Sequence, residues 1–284
     1  MSTKEQQEQP SESHIDPEEF ERMSVRLREI GLDIEKIRPD IVSRLALLDQ
    51  STKVVEDEHN AIHLARAVFD WYRKNKPEAS WLEREERAVV IGTIFSDIGK
   101  TGFRAANLVQ QKLIVAIYSI DSKDWGGGED KLSVAKYLEK YFPNDYAERI
   151  RIYVGMGLDP EMIMRKFWDM HAEWTLQIIS GDGVPPEVVV AAASHHFIQG
   201  INPEGIIGSD GRFTRYFGEN LAFDRVEKLI CVLDVYDAFR RRSHMSHDQA
   251  IIALRKKIDS SESFSGDKGF HELIDVVDFT NRET

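Results

Sequence analysis

The chain has 284 residues, of which 42% are hydrophobic and 30% charged, with a formal net charge of -12. That length can bury a sizeable core in one large domain or two small ones. The acidic balance argues against a nucleic-acid polymer as partner, which needs a broad basic surface, but leaves room for a small anion in a local basic pocket. The single cysteine, Cys231, lies in the apolar run LICVLDVYDAF. It is expected to be a reduced core residue in a cytoplasmic protein, since one thiol makes no internal disulfide. No apolar stretch follows Lys4, and no apolar run approaches the ~20 residues that span a bilayer, so neither a signal peptide nor a membrane span is expected.

Residues 1–15 are polar and lack core formers, which predicts a disordered tail. A helical segment over 16–54 begins at Asp16-Pro17, with the aspartate as N-cap and the proline in the first turn. The main domain is expected over 55–280. Ile62, Ala65, Phe69 and Tyr72 recur at helical spacing and mark a core-facing stripe. Ser80-Trp81-Leu82-Glu83 has the pattern of a capping box ahead of an apolar-periodic stretch to Ile98. Asp159-Pro160 and Ser246-His247-Asp248-Gln249 read as two further helix starts. Loops are expected at WGGGED (125–130), GDGVPP (181–186) and from Gly200 to Asn220. No strand alternation or internal repeat is visible, so the fold class is all-α, a helical bundle with a small N-terminal helical extension.

Polar residues stand where apolar ones belong. Asp97 follows AVVIGTIFS, Asp234 sits inside LICVLDVYDAF, and His195-His196 follows VVVAAAS. His171 lies between Trp168 and Trp174, and His63 adjoins the Ile62 stripe. An unpartnered buried carboxylate costs several kcal/mol, so residues of this kind are expected to converge. Each has a plainer reading taken singly. A core histidine is commonly a hydrogen-bonded filler, and Asp234 could pair with an arginine of Arg240-Arg241-Arg242. Taken together, imidazoles with carboxylates suit a first-row transition metal.

The order of these residues is itself informative. His63, then Asp97-Ile98-Gly99-Lys100, His171, His195-His196 and finally Asp234 in VLDVYDAF resemble the HD superfamily of metal-dependent phosphohydrolases over 55–280. The histidine doublet and DVYDA make the chain most similar to the HD-GYP branch, whose members cleave cyclic di-GMP. The resemblance implies an HD-domain helical bundle holding two divalent transition-metal ions, iron or manganese with zinc as the third candidate. One ion would lie on Asp97, His171, His195 and His196. The other would lie on His63, Asp97 and Asp234, where Ser96 replaces the family's remaining histidine. Lys100 matches the lysine that contacts the scissile phosphate, and Arg241 and Arg242 would add positive charge for substrate. His59, four residues before His63 and on the same helix face, is a candidate replacement ligand for the position Ser96 leaves open.

The chain also departs from the family. Phe197 stands where a glutamate is expected after the doublet, FIQGINPEG replaces the GYP segment, and an insertion runs over about 106–157. The arginine-proline-tyrosine segment after the last aspartate is missing. Two functions follow as expectations. One is a metal-dependent phosphodiesterase acting on a cyclic dinucleotide such as cyclic di-GMP or another phosphoester. The other is a degenerate relative that binds a nucleotide or a signalling partner without turnover. The protein contacts expected are a homodimer or a signalling partner, and the short apolar runs predict no membrane contact.

Overall fold

A computed structural model describes residues 15–51, 54–120, 127–181, 183–241 and 243–282, with backbone alone for 51 and 54–59. The first helix, α1 (Pro17–Glu29), starts as its sequence suggests: the Asp16 carboxylate accepts from Glu18 N–H at 2.9 Å, with proline inside the first turn. It packs on α2 (Pro39–Ser51), which leads to α3 (Val54–Asn75). Ile62, Ala65, Phe69 and Tyr72 of α3 are all buried, as their spacing predicts.

α4 (Glu83–Phe95) is the centre of the bundle. The sequence placed its cap at Ser80; the structure places Leu82 there, with the Glu85 carboxylate accepting from Leu82 N–H at 2.7 Å. Only the glutamate half of a capping box exists, because leucine has no side-chain acceptor. Gly92 is required by packing: a methyl there would come within 2.9 Å of Ile230 Cδ1 and 3.0 Å of Ala191 Cβ. Glycine inside a helix costs about 1 kcal/mol against alanine; here it lets α4 approach α9 (Pro186–Ala193) and α10 (Arg225–Arg241) closely.

The proposed insertion is itself helical, comprising α5 (Leu108–Tyr118), α6 (Val134–Tyr141) and α7 (Tyr146–Gly155). α8 (Met164–Ile179) follows. Asp159-Pro160 does not open it: Asp159 accepts from Glu161 N–H at 2.9 Å in a separate turn, and the helix begins five residues later. The segment read as a loop contains an antiparallel hairpin, β1 (Arg212–Phe217) and β2 (Asn220–Ala222). Its exposed strands carry arginine, tyrosine and asparagine rather than a buried alternating face, which is why alternation was invisible. α11 (His247–Asp259) begins at Ser246 with the full capping box, Ser246 and Gln249 exchanging side chain and backbone bonds. α12 (Lys268–Thr280) closes on α3 and α10. The described residues therefore form an all-α bundle of twelve α-helices with one two-stranded ribbon. No helix among them is long and apolar enough to cross a membrane. Cys231 is fully buried, its Sγ donating to Ser194 O at 3.1 Å, and burial pushes its thiol far above the ordinary range.

The turn after α4 is held from both sides. Gly99 lies against α8 so closely that a methyl would fall 1.9 Å from His171 O and 2.7 Å from Thr175 N. Thr175 ties the turn by donating to Ser96 O at 2.8 Å and accepting from Gly99 N–H at 3.0 Å. From the other side comes Arg44 of α2, only 1% exposed. Its guanidinium donates to Thr101 Oγ1 at 2.8 Å, Phe103 O at 3.1 Å, Arg104 O at 2.9 Å and Ala106 O at 3.3 Å. Burial lowers its pKa to about 10, so it stays charged at neutral pH.

Replacing Arg44 with leucine strands several buried carbonyls at once. The expected loss is about 3 kcal/mol of stability or more, read from urea unfolding. A loss under about 1 kcal/mol, within the range of a single neutral hydrogen bond, would show that this carbonyl cage contributes little.

Candidate metal centre

Three histidines meet where α8 and the C-terminal end of α9 come together. His171 is carried in mid-α8, while His195 and His196 follow Ser194, the residue that caps α9. His171 is 5% exposed and His195 1%. Each of these two rings is fixed by its own helix. His171 Nδ1 lies 2.5 Å from Trp168 O, and His195 Nδ1 lies 2.7 Å from Ala192 O. A carbonyl oxygen only accepts, so Nδ1 carries the proton in both rings and Nε2 presents a lone pair.

Those lone pairs point at one another. His171 Nε2 is 3.1 Å from His195 Nε2 and 3.0 Å from His196 Nε2. Two acceptors at that separation repel unless a cation lies between them. Burial, and then the neighbouring His195, pushes the His171 pKa down to about 3, so this ring is neutral at neutral pH. Three histidine nitrogens within 4.8 Å of one another form a group able to hold one, and imidazole nitrogen binds zinc or iron at about 2.0–2.1 Å. Outer acceptors that fix each ring's tautomer are the usual accompaniment of such sites.

Two carboxylates adjoin the cluster. Asp97, immediately after α4, places Oδ1 3.5 Å from His171 Nε2, while its Oδ2 accepts from Lys100 Nζ at 2.6 Å. Burial pushes the Asp97 carboxyl up, but Lys100, His171 and His195 outweigh it and hold it well below the usual carboxylate range. Asp234 of α10 places Oδ2 3.5 Å from His196 Nδ1, and Gln199 Nε2 donates to the same oxygen at 3.5 Å. Tyr118 of α5 stands edge-on to His171 with ring centres 5.8 Å apart. Its hydroxyl reaches Phe167 O at 3.0 Å and Trp168 O at 3.2 Å.

Other expected residues lie elsewhere or are otherwise engaged. His63 is on the exposed side of α3 and does not join the cluster. One residue past Ile62 turns the side chain about 100° around a helix, away from the buried stripe. It borders a cavity of about 220 Å³ with Arg66 and with Arg26 and Glu29 of α1. The Ser96 hydroxyl donates to Thr93 O at 2.8 Å. Arg241 forms a bidentate pair with Asp237 on its own helix, leaving Lys100, among the described residues, as the cation next to the cluster. Arg242 and the side chain of His59 lie outside the described residues. Residues that the sequence did not single out include Thr175 and Gln199. Thr175 lies one helical turn after His171 on the same face, and that spacing was a usable signal. Gln199 gave none.

No family model, curated protein or solved structure matches the chain.

The low His171 pKa carries a stability consequence for the protein stripped of metal. The unfolded chain takes up a proton near pH 6.5 that the folded chain refuses until about pH 3. The unfolded state therefore binds more protons throughout that window, and stability falls as pH drops through it. Urea midpoints of chelator-treated protein should fall as pH drops below 6.5, and His171→Gln should remove part of that slope. A slope unchanged by His171→Gln would show that this ring is not the group responsible.

Proposed function

We propose that the protein is a metal-dependent phosphohydrolase, most specifically a phosphodiesterase of HD-GYP type acting on a cyclic dinucleotide such as cyclic di-GMP. The observation that carries this reading is the convergence of three imidazoles, with His171 Nε2 3.1 Å from His195 Nε2 and 3.0 Å from His196 Nε2. The order Asp97-Ile98-Gly99-Lys100, His171, His195-His196, Asp234 supports the choice of phosphoester chemistry by its resemblance to the HD superfamily.

His171, His195 and His196 would hold a divalent iron, manganese or zinc ion, with the nearby Asp97 carboxylate as the fourth donor. When bound, such an ion supplies Lewis-acid activation of water and neutralises charge that builds on the phosphoryl oxygens. The chain's own groups then have distinct roles. Trp168 O and Ala192 O keep Nδ1 protonated on two rings, so that Nε2 stays free to donate its lone pair. Lys100, paired with Asp97 at 2.6 Å, brings positive charge to the place where a phosphate would arrive. Its ammonium can exchange the carboxylate for a phosphoryl oxygen, a contact of the same charge-assisted kind. Arg241 would contribute to a dinucleotide only from the far end of α10, and would first have to release Asp237.

A second reading, binding without turnover, is favoured by the outward position of His63 and by the Ser96 hydroxyl being spent on Thr93. One experiment separates the two. Protein purified without chelator is analysed for metals and assayed on cyclic di-GMP and on bis-p-nitrophenyl phosphate, alongside His195→Ala. The hydrolase reading expects metal and turnover in the natural protein. Its variant should lose the metal and at least ~100-fold in rate, equivalent to about 2.7 kcal/mol of transition-state stabilisation. Retained metal with cyclic di-GMP binding and no turnover would establish the second reading.

A further inference from the structure

We propose that Asp234 is a positioning residue that orients His196 for a single bound cation, and that the described residues offer no second metal position. The inference rests on reading the three-histidine cluster as a metal centre; it does not depend on the reaction.

The three rings share one arrangement: Nε2 turned inward to the cluster, Nδ1 turned outward to an oxygen. For His171 the outer oxygen is Trp168 O at 2.5 Å, and for His195 it is Ala192 O at 2.7 Å. For His196 it is Asp234 Oδ2 at 3.5 Å. This is a contact that becomes a hydrogen bond with a few tenths of an ångström of movement. His195 and His196 both lie past the end of α9; His195 reaches back to Ala192 O of that helix, whereas the outer oxygen beside His196 Nδ1 comes from elsewhere. A carboxylate from α10 takes that position. Gln199, donating to the same oxygen at 3.5 Å, holds the carboxylate facing His196. A carboxylate behind an imidazole fixes its tautomer and makes Nε2 a stronger donor to a metal.

The donors that a second ion would need are engaged elsewhere. A bridging Asp97 would give one oxygen to each ion. Its Oδ1 faces His171, but its Oδ2 is held by Lys100 at 2.6 Å. The Ser96 hydroxyl donates to Thr93 O, and His63 faces outward on α3. Asp234 Oδ2 is the oxygen shared by His196 and Gln199. Among the described residues, Asp97, Ser96 and Asp234 are thus engaged otherwise, and His63 faces away from the cluster.

The test is zinc(II) titration of chelator-stripped full-length protein, with circular dichroism of the metal-free chains as the folding control. The natural protein is expected to saturate at one zinc per chain. Asp234→Ala should keep that stoichiometry but bind about 10–100-fold more weakly, the usual cost of losing an outer partner of a ligating histidine. Asp234→Asn retains an oxygen that accepts from Nδ1–H and should recover most of the loss. In a His196→Ala background, Asp234→Ala should have no further effect, because a residue acting through another is not additive with it. Two zinc ions per natural chain, falling to one in Asp234→Ala, would overturn the proposal, as would Asn binding no better than Ala. No zinc uptake by the natural protein would overturn the metal reading and this proposal with it. One tightly bound zinc without phosphodiesterase activity would overturn only the hydrolase reading.

Discussion

At Gly99 the backbone of the turn after α4 comes so close to His171 O that even a methyl group would collide with it. That approach sets the distance between the Asp97 carboxylate and the His171 ring, and Thr175 locks it with two hydrogen bonds to the same turn. Arg44 then holds the loop beyond it through a fan of carbonyls. A buried guanidinium is costly to desolvate, but carbonyl oxygens that would otherwise be stranded inside the protein make the arrangement mutually satisfying. The position of Asp97 is thus fixed by backbone contact, independent of any electrostatic attraction to the histidines.

Electrostatics enter as a set of opposed demands. Burial favours neutral imidazoles and a neutral carboxyl. Lys100 reverses the balance for Asp97 and keeps it ionised, while His171 stays neutral because burial and the neighbouring His195 disfavour its charged form. The outcome is an anionic oxygen and three nitrogen donors beside one ammonium, on a protein of net charge -12. Under the proposed function, an approaching phosphoester would meet repulsion from the net negative charge and attraction at Lys100, so that recognition would be concentrated at the centre itself, where screening by salt is weakest.

The fold class was legible because helical periodicity and caps such as Asp16 and Ser246 are local signals that tertiary contacts did not override. The hairpin over Arg212–Ala222 was not, since its strands are polar and half-exposed. His171, His195 and His196 could be picked out because imidazoles in apolar runs require partners. His63 stood beside an equally apolar stripe, but adjacency in sequence along a helix is not adjacency in space. The 100° step from Ile62 to His63 changes a buried position into an exposed one. Lys100 was recognised as a charge near Asp97, but that it would pair with one particular oxygen depended on the tight turn at Gly99.

The two most informative stretches of sequence share one form: an apolar helix followed at once by a polar site residue. AVVIGTIF ends α4 and is followed by Ser96-Asp97; VVVAAA ends α9 and is followed by Ser194-His195-His196. Gly92 and Ala191 let these two helices pack closely. Their C-terminal ends therefore deliver Asp97 and the histidine doublet to neighbouring positions. A helix C-terminus carries roughly half a negative elementary charge, so two of them ending beside the same cluster favour a cation there before any ligand is counted. The same field favours the Lys100 ammonium, which sits one turn past the end of α4 against Asp97. An apolar run broken by an aspartate or a histidine is thus more than a buried polar residue in need of a partner. Placed at a helix C-terminus, it puts a candidate metal donor where the backbone already attracts positive charge.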